Sequence, residues 1–490
     1  MILKDLLERL DYEVVSGSVD IPVKELVYDS RKVGSEDVFV CIKGAVRDAH
    51  DFAMEVVEKG AAALIVEHDI DMAVLSQATV IKVADTRYAL AVMAAAFFGY
   101  PAEKLTTVGI TGTKGKTSAT YMMKAILEGA GKKTGLIGTI ETIIGEEHIP
   151  NNNTTPESYL VQSYFARMVE AGCECVVMEV SSQGLMLHRV AGFTFDYGIF
   201  TNISPDHIGP NEHKDFEEYL ACKELLFQNC RFGIINLDDP HAKHVIDHAT
   251  CEIETFGITE NADYQAKNIH LYREQGSLGI SYDLTGKAEF PIKVDIPGRF
   301  SVYNSLCAIV LGLHFAHDPA TLQQALATVQ VKGRVELIPV SDRYTLMIDY
   351  AHNAVSLTSI LETIREYNPG RIVTVFGCGG NRDRNRRFEM GEVSAKLSDL
   401  SVITSDNPRF EKPEAIIEDI VVGAKRGGGD YVTIPDRKEA IRYAMENAQD
   451  GDVVILAGKG HEDYQEIEGK KYPMDERVLI KEILQEMQKA

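Results

Sequence analysis

Short apolar runs, each about the length of a strand and bounded by turn or charged residues, recur along the chain. Between them lie stretches with helical spacing. Asp37-Val38-Phe39-Val40-Cys41-Ile42-Lys43-Gly44 and Ala61-Ala62-Ala63-Leu64-Ile65-Val66 are two such runs near the start. Thr106-Thr107-Val108-Gly109-Ile110 is another, and it leads into a glycine-rich loop and then a helical pattern. Thr345–Ile348, Ile372–Phe376, Leu400–Ile403 and Val453–Ala457 repeat the theme. Strands alternating with helices predict an α/β protein with parallel sheets and crossover helices. Such sheets bind ligands beyond the carboxyl ends of their strands. The pattern divides into residues 1–102, 103–333 and 334–490, with Pro101 opening a linker. Met1–Leu10 reads as a short amphipathic helix, and Gly427-Gly428-Gly429 as a surface turn. The Ala-rich run Tyr88–Tyr100 is shorter than the roughly 20 residues of a membrane span, so a buried helix is expected.

Composition narrows the partners. Asp plus Glu number 73 against 50 Lys plus Arg, a formal charge of -23 over 490 residues. Nucleic acids and anionic membranes select basic surfaces, so neither is an expected partner. A local basic pocket for phosphate or carboxylate stays open. At roughly 100–200 residues per domain, the length allows two to four domains. The N-terminus lacks the basic, apolar and small-residue regions of a signal peptide, so a cytoplasmic location is expected. The eight cysteines form no CxxC element; Cys173 and Cys175 alone fall two apart. Reduced, mostly buried thiols are expected.

The candidate chemistry begins at Thr111-Gly112-Thr113-Lys114-Gly115-Lys116-Thr117-Ser118, between a strand and a helix. Glycines let backbone amides close around phosphate oxygens, and the helix N-terminus favours the anion. Lys116 can reach the β- and γ-phosphates, and the Thr117 hydroxyl can bind Mg²⁺. The strict pattern wants glycine where this chain has Ile110, so the loop is a variant. Val176–Ser182 reads as a buried strand ending in Glu179, a carboxylate suited to holding Mg²⁺ or water. Asp206-His207 falls in a polar turn after the apolar strand Tyr197–Phe200. Lys223, in Tyr219-Leu220-Ala221-Cys222-Lys223-Glu224-Leu225-Leu226-Phe227, is on its own an ordinary helix lysine.

In their order and spacing these motifs resemble the Mur ligase family, the ATP-dependent amino-acid-adding enzymes of peptidoglycan precursor synthesis. The resemblance continues through Val302-Tyr303-Asn304, Gly333-Arg334, Asp349-Tyr350-Ala351-His352 and Gly377-Cys378-Gly379-Gly380-Asn381-Arg382-Asp383. It ends in Asp406-Asn407-Pro408-Arg409 and Gly458-Lys459-Gly460-His461-Glu462, so it spans nearly the whole chain. Within the family it is nearest the member that adds the third peptide residue, meso-2,6-diaminopimelate. It implies three domains: residues 1–102 for the uridine diphosphate sugar, 103–333 for ATP, and a Rossmann-like 334–490 for the amino acid. It also implies that Lys223 is carbamylated and, with Thr117, Glu179 and His207, holds two Mg²⁺ ions. Asn304, Arg334, Asp349 and His352 would contact adenosine or the phosphates. Ser30 would touch the uridine nucleotide, and Asn153, Thr154, Thr155, Ser181 and Arg189 would line the path of the UDP-N-acetylmuramoyl dipeptide. Arg382, Gly458 and Glu462 would hold the amino acid, and a monomer is the family expectation. Cys222, Gly209, Leu187 and Ala354 depart from the family pattern, and none removes a phosphate or metal group.

The chemistry needs these parts. A carboxylate condenses with an amine only after its oxygen becomes a good leaving group, as in an acyl phosphate. Carboxylate and triphosphate are both anionic, so Lys116, Mg²⁺ and the amide cradle must offset their repulsion. Arg409 offers a planar fork to the second carboxylate of diaminopimelate and would repel the side-chain ammonium of L-lysine. L-lysine ligation and a folylpolyglutamate-type amide ligase are the rival activities. A silent nucleotide-binding protein would have lost Lys116, Glu179, His207 or Lys223, and all four are present.

Overall fold

A computed structural model describes residues 1–44, 46–209, 212–274, 277–316 and 318–488. Its contacts divide the chain into two compact units. Met1–Asp263 with Cys307–His317 makes the first, and Tyr264–Leu306 with Asp318–Ala490 the second.

The first unit holds two sheets. Near the N-terminus, Leu26–Val27, Val38–Val40, Ala63–Val66 and Thr79–Lys82 run parallel, and Glu13–Ser16 closes one edge antiparallel. The helix Thr86–Phe97 covers this sheet with Ala89, Leu90, Met93 and Ala94, all buried, as the Ala-rich run led one to expect. Small side chains let it lie close to the strands, which is why so plain a sequence is helical and buried. Met1–Leu10 differs from expectation: only Leu3–Leu6 is helical. The Leu7 amide bonds the Lys4 carbonyl, three residues back, and this tighter bond ends the helix so the chain can turn toward Glu13–Ser16.

In the larger sheet, six parallel strands lie in the order Glu252–Gly257, Cys230–Asn236, Phe195–Phe200, Thr106–Thr111, Cys175–Glu179 and Thr134–Ile137. The antiparallel strands Glu141–Ile144 and Glu147–Pro150 extend it. The central parallel strands Thr106–Thr111, Cys175–Glu179 and Phe195–Phe200 are mostly buried and largely apolar, as strands covered on both faces are. Tyr159 joins the two cores, packing against Tyr28, Phe97 and Phe98.

The second unit begins with the antiparallel strands Tyr264–Glu274, Ser277–Gly286 and Phe290–Val294. Its main sheet runs Glu336–Ile338, Thr345–Asp349, Val453–Ala457, Ile372–Phe376, Leu400–Ile403 and Tyr431–Thr433, parallel except at the first edge. The helices Asn385–Leu397 and Pro413–Gly427 pack on one another through glycines. A Cβ on Gly391 would meet the Ile420 carbonyl, one on Gly423 the Phe388 carbonyl, and one on Gly429 the Ala395 carbonyl. Gly427 to Gly429 is therefore no mere surface turn. Gly427 and Gly429 let two backbones touch, and Gly428 caps the helix in the left-handed conformation at φ 78°. Gly423→Ala should destabilise the protein by about 1–3 kcal/mol, read as a lower urea midpoint at unchanged slope; an unchanged midpoint would refute this packing.

All eight cysteines are free thiols, seven of them buried. Among the described residues no helix is long and apolar enough to cross a membrane.

Candidate active site

Register places the first group of residues. Glu179 pairs with Ile110 across adjacent parallel strands, and Phe200 pairs with Thr111 on the other side. Three strands thus end together, and the loop 111–117 opens between Glu179 and Thr201-Asn202. The loop is held by its neighbours. The Thr113 amide donates to the Asn202 carbonyl at 2.9 Å, and the Lys114 amide to Asn202 Oδ1 at 2.9 Å. Asn202 Nδ2 and the Thr201 hydroxyl both donate to the Lys114 carbonyl, each at 3.0 Å. Only glycine fits at 112, where a Cβ would collide with Thr201 Oγ1. Gly115, at φ 89°, precedes the helix Lys116–Gly129, so the loop's amides and the helix N-terminus converge where an anion would sit. Lys116 Nζ folds back onto the carbonyls of Gly112 at 2.7 Å and Thr113 at 3.2 Å.

Glu179 is almost fully buried. One oxygen accepts from the Thr139 amide at 2.8 Å; the other meets the hydroxyls of Thr117 at 3.2 Å and Thr139 at 3.0 Å. Gly138 completes the cradle, since a Cβ there would come within 2.6 Å of Glu179 Oε1. A buried carboxylate beside a hydroxyl, with oxygen donors only, suits a hard divalent cation such as Mg²⁺.

Lys223 lies in the helix Phe216–Gln228, its Nζ 3.0 Å from the Gly112 carbonyl and 4.5 Å from the centre of the Tyr219 ring. Burial, and then the charge of Lys116, push its pKa well below the usual lysine range. Unmodified, it is a poor metal ligand. Unprotonated, it is a nucleophile. Tyr219 also bonds the Thr113 hydroxyl at 3.0 Å, and its own hydroxyl is pushed up to about 12 by burial. His207 is half exposed, at φ 54°, with Nδ1 2.9 Å from Glu212. Its ring lies 6.1 Å from that of Tyr219, and among the described residues its side chain makes no hydrogen bond or ion pair with Glu179 or Lys223.

The residues expected along the muramoyl path adjoin this group. Thr154 Oγ1 meets Thr139 Oγ1 at 3.0 Å, and Thr139 in turn bonds Glu179. Thr155 Oγ1 donates to the Glu179 carbonyl and accepts from the Ser181 amide, each at 2.9 Å. Arg189 donates to the Thr155 carbonyl at 3.1 Å and pairs with Glu157 at 2.9 Å, as Arg87 does at 3.7 Å. Ser181 caps the helix Ser182–Met186 through the Gly184 amide. Asn153 is exposed beside them. Ser30 stands apart, in the turn stabilised by Asp29 and Arg31, with its carbonyl accepting from Lys59.

The second unit carries the remaining residues. Asp349, half-buried, accepts from the Val335 amide at 2.8 Å and the Ala351 amide at 2.9 Å; desolvation raises its pKa and Arg334 opposes that. The Arg334 guanidinium lies over the Tyr350 ring, which also touches His352 and His461. Asn304 is buried in the helix Phe300–Leu313.

Asp406 to Arg409 follow the strand Leu400–Ile403. Asn407 is held from three sides: its Oδ1 accepts from Lys459 at 3.0 Å and the Glu466 amide at 2.9 Å, and its Nδ2 donates to Glu462 at 2.9 Å. Lys459, fully buried, also pairs with Glu462 at 2.7 Å. Arg409, at φ 52°, donates Nε to Glu466 at 3.0 Å and Nη1 to the Gly380 carbonyl at 2.8 Å. Among the described residues its Nη2 makes no hydrogen bond. Gly377, Gly379 and Gly380 let this segment approach. Their Cβ atoms would strike the Thr404 carbonyl, the Arg409 guanidinium and the Pro408 carbonyl. Gly458, at φ 110°, abuts Asp406, and Arg382 is exposed on the same glycine-rich loop.

Sequence reasoning gave no role to Thr139, Thr201, Asn202 or Tyr219 around the phosphate loop, nor to Glu157, Lys459 or Glu466. Thr201-Asn202 was findable, as the first polar pair after a buried parallel strand. Thr139 and Glu466 carry no local signal; only tertiary packing brings them in.

Three family descriptions match the chain: Mur ligase family, catalytic domain, over residues 22–98; Mur ligase middle domain over 110–312; and Mur ligase, glutamate ligase domain, over 333–460. The UDP-N-acetylmuramoyl-L-alanyl-D-glutamate--2,6-diaminopimelate ligase of Clostridium perfringens is 42% identical over 492 residues, covering 99% of this chain and 100% of that protein. The chain belongs to the Mur ligase family. A solved structure of a UDP-N-acetylmuramoyl-L-alanyl-D-glutamate--2,6-diaminopimelate ligase superposes with a TM-score of 0.74 at 27% identity, covering 100% of this chain and 99% of that one. The fold extends to a MurF ligase of Thermotoga maritima in complex with ADP, at TM-score 0.56 and 18% identity, covering 96% and 99% of the two chains. This Mur ligase is thus an ATP-dependent amide ligase of peptidoglycan precursor synthesis.

Proposed function

We propose that this ligase joins meso-2,6-diaminopimelate to the D-glutamyl γ-carboxylate of UDP-N-acetylmuramoyl-L-Ala-D-Glu, converting ATP to ADP and phosphate. One observation carries the choice of amino acid. Arg409 is fixed at a strand end by Glu466 and the Gly380 carbonyl, with Nη2 left for a ligand carboxylate. The Clostridium perfringens relative, itself named a 2,6-diaminopimelate ligase and matched over its whole length, supports it.

The carboxylate oxygen attacks the γ-phosphorus of ATP and ADP departs, leaving an acyl phosphate. The amine of diaminopimelate then attacks the carbonyl carbon, the C–O bond to phosphate breaks, and the amine loses a proton. Lys116 and the loop amides bind the β- and γ-phosphates, offsetting charge that builds during transfer. Thr154, Thr155, Ser181 and Arg189 hold the muramoyl peptide beside Glu179, and Ser30 binds its uridine end. Asn304, Arg334, Asp349 and His352 bind ATP. Arg382, Asp406, Asn407, Gly458 and Glu462 complete the amino-acid site, with Lys459 fixing Asn407 and Glu462.

Thr117, Glu179, His207 and Lys223 would hold Mg²⁺, which supplies positive charge between the two anionic substrates. For that role Lys223 adds to carbon dioxide, forming an N–C bond and releasing a proton, and so becomes an anionic oxygen ligand. Its burial and depressed pKa support this reading. The three segments 1–102, 103–333 and 334–490 serve the uridine nucleotide, ATP and the amino acid in a cytoplasmic monomer.

The test is phosphate release with ATP, Mg²⁺ and the muramoyl dipeptide, in parallel with diaminopimelate, L-lysine or no amino acid. Release that needs diaminopimelate, with a product heavier by one such residue, is expected. Release with L-lysine instead would overturn the reading of Arg409.

A further inference from the structure

Away from the phosphate loop, the helix Phe216–Gln228 meets the short helix Ala242–His248. Three metal-ligating side chains converge there: Glu224 from the first helix, His244 and His248 from the second. We propose that they form a site for a divalent transition-metal ion such as Zn²⁺ or Co²⁺, separate from the Mg²⁺ residues.

The geometry supports this in three ways. Glu224 Oε1 lies 3.1 Å from His244 Nε2 and 4.0 Å from His248 Nδ1. Tetrahedral donors about 2.0–2.1 Å from a zinc ion stand roughly 3.4 Å apart, between those two values. The two histidines are four residues apart on one helical face, their rings 4.3 Å apart and crossed at 71° rather than stacked. The strongest sign is Glu224 itself. Its side chain is only 7% exposed, yet Oε1 is buried without a hydrogen bond, although a histidine nitrogen lies 3.1 Å away. The contact thus has the distance of a hydrogen bond without its alignment. A cation between carboxylate and imidazole satisfies both. His244 and His248 are half exposed, so an ion can enter from solvent. Two imidazole nitrogens beside a single carboxylate favour a transition metal over Mg²⁺. His248 exchanges its 2.8 Å bond to the His244 carbonyl for the metal as its ring turns.

The other such cluster among the described residues, Asp48, His50 and His68, lacks this sign. There His50 bonds Asp48 through Nδ1 at 2.6 Å and accepts from the Glu67 amide through Nε2 at 3.1 Å, so its ring is already satisfied.

The bound ion would tie the helix that carries Lys223 to its neighbour. The test is Co²⁺ titration of the metal-stripped full-length protein in excess Mg²⁺, followed by visible d–d absorption, with Zn²⁺ competition and thermal melting. Wild type should bind one Co²⁺ with the intense bands of a four- or five-coordinate nitrogen-bearing site, and Zn²⁺ should raise its Tm. His244→Ala and His248→Ala should each weaken Co²⁺ binding at least about tenfold and abolish the Zn²⁺-induced Tm rise. Both variants should keep wild-type ligase activity in Mg²⁺ alone, which shows that they fold. Equal Co²⁺ spectra and affinity in wild type and variants, or no Co²⁺ bands in wild type, would overturn the proposal.

Discussion

Replacing Lys223 by alanine is expected to lower kcat by about 10²–10³-fold, the scale of losing one preorganised electrostatic group at a reacting centre. Lys223→Arg should fare no better. Arginine keeps a positive charge and cannot become an anionic ligand, so it would repel a metal that the proposed carbamate would attract. The native amine is fully buried, bonded to one loop carbonyl and destabilised as a cation by Lys116. Burial first and then the Lys116 charge lower its pKa, so it gives up its proton, and can add to carbon dioxide, more readily than an exposed lysine. Wild-type protein depleted of carbon dioxide should therefore lose activity and regain it with bicarbonate, whereas the variants should not respond. Full activity in Lys223→Ala would remove Lys223 from the mechanism; inactivity that bicarbonate never modulates in wild type would leave it a role as an amine only.

Arg409→Ala is expected to lower kcat/KM for diaminopimelate by roughly 10²–10³-fold, as expected for truncating one partner of a hydrogen-bonded charge pair. Arg409→Lys should recover little, because a single ammonium cannot hold Glu466 and the Gly380 carbonyl and still aim a fixed donor at the ligand as the planar guanidinium does. For L-lysine the value should stay level or rise, since the repelling cation is gone. The fork is aimed by Glu466 and by the Gly380 carbonyl, which reaches it only because Gly377, Gly379 and Gly380 let the two loops touch. Equal losses for both amino acids would mean that Arg409 supports the loop rather than reads the substrate.

Much of the scaffold was legible in the sequence. Ile372–Phe376, Leu400–Ile403 and Val453–Ala457 are strands at the residues their apolar runs marked. Strand ends also pointed to the candidate site, because a parallel sheet delivers its polar residues to one edge. Glu179 and the loop 111–117 became neighbours through register alone. Local pattern said less where packing decides. Met1–Leu10 has helical spacing but only one turn of helix, and Gly427 to Gly429 looked like a turn while serving a helix–helix contact. The support around the site was least visible. Thr139 touches Glu179 from 40 positions away, and Glu466 reaches Arg409 from 57. Lys459, a lysine with no exposed surface, gives no sign in sequence that Asn407 and Glu462 will enclose it.

The most direct test of the central claim follows an oxygen atom. The muramoyl dipeptide would be labelled with oxygen-18 in its D-glutamyl γ-carboxylate and incubated with ATP, Mg²⁺ and diaminopimelate. An acyl-phosphate route predicts that each product molecule, heavier by one diaminopimelate residue, is matched by one inorganic phosphate carrying a single oxygen-18. Product formed with unlabelled phosphate would contradict that route.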